Sequence, residues 1–265
     1  MNFKREIVTL GGKNYKFLHG GNSLLGSVLF LHGWNSKSER YEQPFSFIPE
    51  DFVQIIIPDL PGFGESQKPE TVWGVDEYTK WTMDIIEAIG VEKIIIAGHS
   101  FGGQVAIKVA SDNPPKIVGA LLYASARVRK HPSVKKKIFR DVAWLGNILF
   151  SVPILSQFSS FAKKVLYRLV GSSDYINAKE MREIMAKVIE QDMEKEVLKI
   201  SVPVGIIWGD KDESTPVSDA YYLKENIRSS NLKVVNGASH KFHMTNPEEF
   251  ARVFSEQITW ILKNE

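Results

Sequence analysis

The segment Ile94-Ile95-Ile96-Ala97-Gly98-His99-Ser100-Phe101-Gly102-Gly103 constrains this chain more than any other. An apolar run suited to a buried strand passes directly into Gly-x-Ser-x-Gly, and a helical stretch from Phe101 to Ser111 follows. A strand that turns straight into a helix forces a tight, strained corner at the serine. Side chains at the flanking positions would collide there, and Gly98 and Gly102 keep that space clear. The corner lifts the Ser100 hydroxyl above the sheet, and backbone N–H groups at the helix start are presented to a developing anion. Ser100 is therefore the candidate nucleophile. The chain contains no Cys, which excludes a thiolate nucleophile, a disulfide framework and Cys-ligated zinc.

The flanking sequence fits a mainly parallel sheet with helices on both faces. Glu6 to Leu10 and Asn14 to Leu18, joined across Gly11-Gly12, read as an opening hairpin. Ser27 to Leu31, Val53 to Pro58, Lys93 to Ala97 and Ile117 to Tyr123 read as buried strands, with Val204 to Trp208 and Leu232 to Val235 as the last two. Helical spacing predicts Val75 to Ile89, stopped by Gly90, and a terminal helix opened by Pro247 and running to Leu262. From Ala126 to Ile200 there is no strand pattern, only helical stretches broken at Pro132, Pro153 and Gly171.

A serine hydroxyl needs a base, and the base needs a group to orient it. Among six histidines, His240 stands between the last strand and the terminal helix, His243 follows three residues later, and His32 lies in an early loop. His19, His99 and His131 have no evident catalytic setting. Ile206-Ile207-Trp208-Gly209-Asp210-Lys211-Asp212-Glu213-Ser214-Thr215-Pro216 places two aspartates, Asp210 and Asp212, just past a strand end. Nucleophile, then acid, then base is the chain order of one particular triad-bearing fold.

In these motifs the sequence resembles the α/β-hydrolase superfamily. The likeness covers nearly the whole chain outside the helical segment. It rests on His32-Gly33, on Asp59-Leu60-Pro61-Gly62-Phe63-Gly64-Glu65-Ser66, on the Ser100 turn, on Gly209-x-x-Asp212-x-x-x-Pro216, and on His240 with Pro247 behind it. The resemblance implies a mostly parallel central sheet flanked by helices, with an inserted all-helical cap. It implies Ser100 as nucleophile, Asp212 as acid and His240 as base, with the backbone N–H groups of Trp34 and Phe101 forming the oxyanion hole. Ser239 departs from the pattern, standing where relatives usually carry Gly. The Asp59–Ser66 motif implies a structural turn. Serine at the elbow argues against dehalogenase and epoxide hydrolase chemistry, which use aspartate there. No metal or organic cofactor is implied.

By the same resemblance, residues 1–126 and 201–265 form the core and 127–200 the cap. From Arg127 to Val170 there are ten Lys/Arg and one Asp, a local +9 within an overall +2, which leaves −7 for the rest. Near-neutrality of the whole, with 43 % hydrophobic and 24 % charged residues, excludes disorder and a whole-surface nucleic-acid binder. Val142 to Ala162 carries no charge over 21 residues. Its Asn, Gln, Ser, Gly and Pro content argues for apolar helices covering a pocket rather than a membrane span. Peripheral contact of a basic, apolar cap with lipid is a further expectation. No targeting signal is evident, so the expected location is cytoplasmic. The expected activity is hydrolysis of small to medium lipophilic carboxylic esters in the manner of a carboxylesterase. Alternatives are C–C bond hydrolysis of a dienoic or diketone substrate by the same triad, and a non-catalytic ligand sensor on the same fold. Oligomeric state is open.

Overall fold

Gly11-Gly12 separates two strand-forming runs, and the chain folds back on itself there. In the computed structural model, which describes residues 1–22, 25–129 and 181–265, the two arms are β1 (Phe3–Leu10) and β2 (Lys13–Gly20). Both glycines take positive φ, 55° and 76°, as a two-residue hairpin turn between twisted strands requires. The remaining strands are β3 (Ser27–Leu31), β4 (Gln54–Pro58), β5 (Ile94–His99), β6 (Ile117–Tyr123), β7 (Val204–Gly209) and β8 (Ser230–Val235). They form one eight-stranded sheet in the order β1-β2-β4-β3-β5-β6-β7-β8. β2 runs antiparallel to both neighbours and all other pairs are parallel. Every residue of β3 and β5 is buried, which suits strands covered on both faces. This is the α/β-hydrolase fold that the sequence resemblance implied.

The helices among the described residues are α1 (Glu42–Ser46), α2 (Val75–Ala88), α3 (Phe101–Ser111), α4 (Arg182–Glu190), α5 (Glu194–Val197), α6 (Val217–Asn226), α7 (Phe242–Thr245) and α8 (Pro247–Asn264). α2 and α3 pack together, with α3 against β3, β5 and β6, while α8 lies against β6, β7 and β8. The approach of α8 is close because two strand positions lack a side chain. A Cβ on Gly119 would lie 2.3 Å from Ile261 Cγ2, and one on Gly205 3.0 Å from Gln257 Oε1. α4 and α5 also join the core, burying Ile184, Val188 and Val197. Gln104 Nε2 ties α3 to that segment by donating to the carbonyls of Val188 (3.1 Å) and Gln191 (2.8 Å). Most of the expected helical cap, residues 130–180, lies outside the described residues, and with it the uncharged run 142–162.

From β3 the chain crosses to β4 on one side, then returns to β5 on the other side of β3. A parallel sheet opens a crevice at the carboxyl ends of its strands where the order reverses in this way. Gly33 and Trp34 follow β3, Ser100 follows β5, Asp212 follows β7 and His240 follows β8. The topology therefore delivers every residue singled out by motif to one edge of the sheet.

Behind that edge, Phe30, Tyr41, Phe45, Phe250 and Phe254 form an aromatic cluster between the sheet and α8. Phe254 is fully buried and meets Phe45 edge-on at 4.9 Å. Phe254→Ala is expected to destabilise the fold by about 3–5 kcal/mol, read from the denaturant midpoint. A loss under about 1 kcal/mol would contradict this packing of α8.

Candidate active site

Ser100 sits at φ 53° and ψ −113°, a left-handed conformation that costs a non-glycine residue about 1–3 kcal/mol. The surroundings hold it there. Ser100 N–H donates to Tyr123 O at 3.1 Å, and Ser100 O accepts from Gln104 N (3.1 Å) and Ala126 N (2.9 Å). The neighbouring glycines have no alternative. A Cβ on Gly98 would lie 2.2 Å from Gly102 O, one on Gly102 2.1 Å from Leu31 O, and one on Gly103 2.2 Å from Ser125 Oγ. The turn is thus pressed against β3 as well as bent between β5 and α3, and Phe101 is the first residue of the helix.

Asp212 and His240 meet across two loops. His240 Nδ1 lies 2.8 Å from Asp212 Oδ2, and the Asp212 side chain is wholly buried while His240 stays 14 % exposed. Three further donors fill the carboxylate. Ser214 N and Thr215 N donate to Oδ1, and Thr215 Oγ1 donates to Oδ2, all at 2.8 Å. Burial alone would raise the Asp212 carboxyl, but the hydrogen bond and charge of His240, with the Thr215 donors, outweigh it and hold the group below the ordinary aspartate value. Asp210 is engaged elsewhere, accepting from Gly237 N at 2.6 Å. Only one of the two aspartates therefore reaches the histidine.

Trp34 packs edge-on against Phe63 (4.9 Å) and Phe101 (5.3 Å), so the side chains of the two expected oxyanion-hole residues are in contact. The Gly33–Trp34 peptide is oriented by His32, the residue just before it. His32 Nε2 accepts from Leu60 N at 3.0 Å, so the ring proton is on Nδ1, which donates to Gly33 O at 2.8 Å. Because the peptide is planar and trans, fixing the Gly33 carbonyl also fixes the direction of the Trp34 N–H. Gly33 is pressed close to the elbow, for a Cβ there would lie 3.4 Å from Ser100 Cβ. The Asp59–Ser66 turn braces this region: Asp59 accepts from Ser38 N (2.6 Å) and Glu65 N (2.9 Å).

The other histidines divide by environment. His19 is at the hairpin, 2.8 Å from Glu6, and His131 lies outside the described residues. His243 does not reach Asp212. It is buried, stacked on Tyr41 at 4.7 Å, with Nδ1 3.0 Å from Tyr123 OH. His99, which showed no evident setting in the sequence, is also buried, against Tyr41, Tyr123 and His240. Its signal was its place inside the elbow motif; its partners are distant in the chain. Among the described residues no cluster of three or more His, Asp or Glu could hold a metal ion, and no helix is long and apolar enough to cross a membrane.

Burial is the main force holding His32, His99 and His243 below the ordinary imidazole value of 6.5, His32 at about 4 and His243 at about 3. As pH falls below 6.5 the unfolded chain takes up these protons and the folded chain does not. The stability is therefore full above that value and is lost with acid, with a slope of up to about 1.4 kcal/mol per pH unit for each histidine. Denaturant titrations near pH 5 are expected to show up to about 4 kcal/mol per pH unit, reduced by about one third in His243→Phe. A flat profile would contradict three neutral buried imidazoles.

The family model described as "serine aminopeptidase, S33" matches residues 23–247. A monoacylglycerol lipase of Xenopus laevis, abhd6-A, is 24 % identical to this chain, with 95 % of the chain and 82 % of the lipase covered. An uncharacterised hydrolase of Bacillus subtilis, YugF, is 25 % identical over 96 % of both chains. The crystal structure of a membrane phospholipase A, a bacterial virulence factor, superposes with a TM-score of 0.76 at 20 % identity, covering 100 % of this chain and 88 % of that one. With its sheet, its elbow and the family model all in register, the chain belongs to the serine aminopeptidase S33 family of α/β-hydrolases.

Proposed function

We propose that this α/β-hydrolase is a serine carboxylesterase in which Ser100 is the nucleophile, His240 the general base and Asp212 the acid that orients it. The observation that carries the reading is the 2.8 Å contact between His240 Nδ1 and the buried Asp212 carboxylate, at the same sheet edge as the strained Ser100 turn. A carboxylate on Nδ1 selects the tautomer whose Nε2 is free to take a proton.

In the proposed reaction Ser100 Oγ attacks the ester carbonyl carbon as its proton passes to His240 Nε2. Asp212 stabilises the imidazolium that forms. The Trp34 and Phe101 N–H groups receive the tetrahedral oxyanion, each such donor contributing about 3 kcal/mol to the barrier reduction. His240 returns the proton to the departing alcohol, then takes one from water, whose oxygen attacks the acyl-enzyme, and passes it to Ser100 Oγ as the acid leaves.

The aromatic run Phe63, Trp34, Phe101 and Tyr78, whose neighbouring rings are 4.9 to 5.3 Å apart, supports a lipophilic acyl group. The lipase and phospholipase among the similar proteins support ester substrates of that kind. Residues 127–200 are proposed as a helical cap over the site, its basic, apolar sequence suited to contact with lipid or with anionic substrate.

The test is a series of p-nitrophenyl esters of increasing acyl length, with Ser100→Ala and Asp212→Asn beside the wild type. Ser100→Ala is expected to lose at least about 10³-fold in kcat, and Asp212→Asn about 10²-fold or more. Turnover surviving in Ser100→Ala would overturn the nucleophile. A rate peak at about two to four acyl carbons would mean a shallow pocket, and one above about eight a tunnel. Faster cleavage of a dienoic or diketone substrate than of any ester would move the reading to C–C bond hydrolysis.

A further inference from the structure

His99 precedes the proposed nucleophile and is almost wholly buried, yet ester hydrolysis as written above makes no use of it. Its two ring nitrogens are both engaged. Tyr41 OH lies 2.8 Å from Nδ1, and the main-chain oxygen of His240 lies 3.0 Å from Nε2. A carbonyl can only accept, so the ring proton is on Nε2. The ring is neutral, because burial holds His99 well below the ordinary imidazole value and the nearby His240, His243 and Lys241 lower it further. Nδ1 is then a bare acceptor, and Tyr41 must be its donor. The Tyr123 hydroxyl lies 3.1 Å from the same carbonyl and 3.0 Å from His243 Nδ1, and its ring stacks on His99 at 4.4 Å. From Tyr41 through His99 to the His240 carbonyl, each proton therefore has one direction.

We propose that His99 is a positioning residue that ties the base to the nucleophile: its Nε2–H holds the backbone of His240, while its own backbone leads into Ser100. The inference rests on the reading of Ser100 and His240 given above. The tie spans residues 141 apart in sequence, joining the end of β5 to the loop between β8 and α7. A catalytic pair must be held to within about 0.5 Å, and a misplacement of about 1 Å costs on the order of 10²-fold in rate. Around the base, Lys211 N–H bonds to Ala238 O and Met244 N–H to Lys241 O. The carbonyl of His240 itself is held by the His99 Nε2–H, with the Tyr123 hydroxyl beside it. A neutral ring also places no like charge 4.7 Å from the imidazole that becomes cationic during turnover.

The experiment compares His99→Leu, His99→Gln and Tyr41→Phe with wild type and Ser100→Ala, with kcat normalised to sites titrated by a fluorophosphonate. Leu matches much of the ring's volume without a donor; Gln keeps an N–H where Nε2 stood. His99→Leu is expected to lower kcat about 10- to 100-fold with KM changed less than about threefold, and His99→Gln to return kcat to within about fivefold of wild type. Tyr41→Phe, which frees the ring to turn, should lose about 3- to 10-fold. Wild-type kcat per site in His99→Leu, or in Tyr41→Phe if the Leu variant does not fold, overturns the proposal. Turnover that survives Ser100→Ala, or is absent from the wild type, instead overturns the esterase reading. A readout independent of substrate separates the two: the imidazole ¹⁵N signals of His240 must move in His99→Leu and return in His99→Gln. Unmoved signals sink the tie whatever the activity.

Discussion

Ser100 holds a backbone conformation that its own side chain disfavours, and the contacts around it show how the molecule supplies the difference. At φ 53° the residue gains its position only if β5, α3 and β3 approach closely at one point. They do so because Gly98 faces the carbonyl of Gly102 and Gly102 faces that of Leu31. Neither backbone polar group of Ser100 is left over: its N–H goes to β6 and its carbonyl accepts two N–H groups. A strained corner persists when its surroundings over-determine it, and here three strands and a helix do so. The parallel order of β3, β5 and β6 is therefore a condition of the corner as much as its setting.

The polar atoms behind the site obey a second constraint, that buried donors and acceptors must find partners. Two imidazoles of the described residues solve it in the same way. His32 accepts a backbone N–H and donates to the carbonyl of Gly33; His99 accepts from a tyrosine and donates to the carbonyl of His240. Each is a neutral ring with one proton, and each holds the backbone of a residue at the candidate site. A lysine could not accept and a carboxylate could not donate, so only a group with both functions on opposite edges fits these places. The same neutrality makes the fold dependent on pH, because the rings that align the backbone are rings the unfolded chain would protonate.

Much of this was legible in the sequence, for identifiable reasons. β3 and β6 were expected at their observed bounds, since buried parallel strands are continuous apolar runs closed by polar residues or turns. The elbow was legible because its steric demand is met by glycines at fixed spacing. β8 was expected to begin at Leu232 but begins at Ser230. Ser230 and Asn231 add no apolar signal, and the strand lies at the sheet edge with its middle only half-buried. α1 carries Pro44 within five residues, too short a stretch for any periodicity to show.

The positioning roles of His99, His32 and Thr215 were not legible for a different reason. A pattern such as Gly-x-Ser-x-Gly leaves its x positions undefined, because the turn makes no steric demand there; what they do is decided by contacts across the fold. Tyr41 is 58 residues from His99, and no local rule relates the two. Thr215 stands within the Asp212 motif, but its hydroxyl becomes a second donor to the oxygen that meets His240 only once the loop after β7 has closed on itself. Spacing can nominate the groups that react, since chemistry restricts their types. The groups that aim them are restricted only by geometry, and they become visible when each buried proton is assigned a donor and an acceptor.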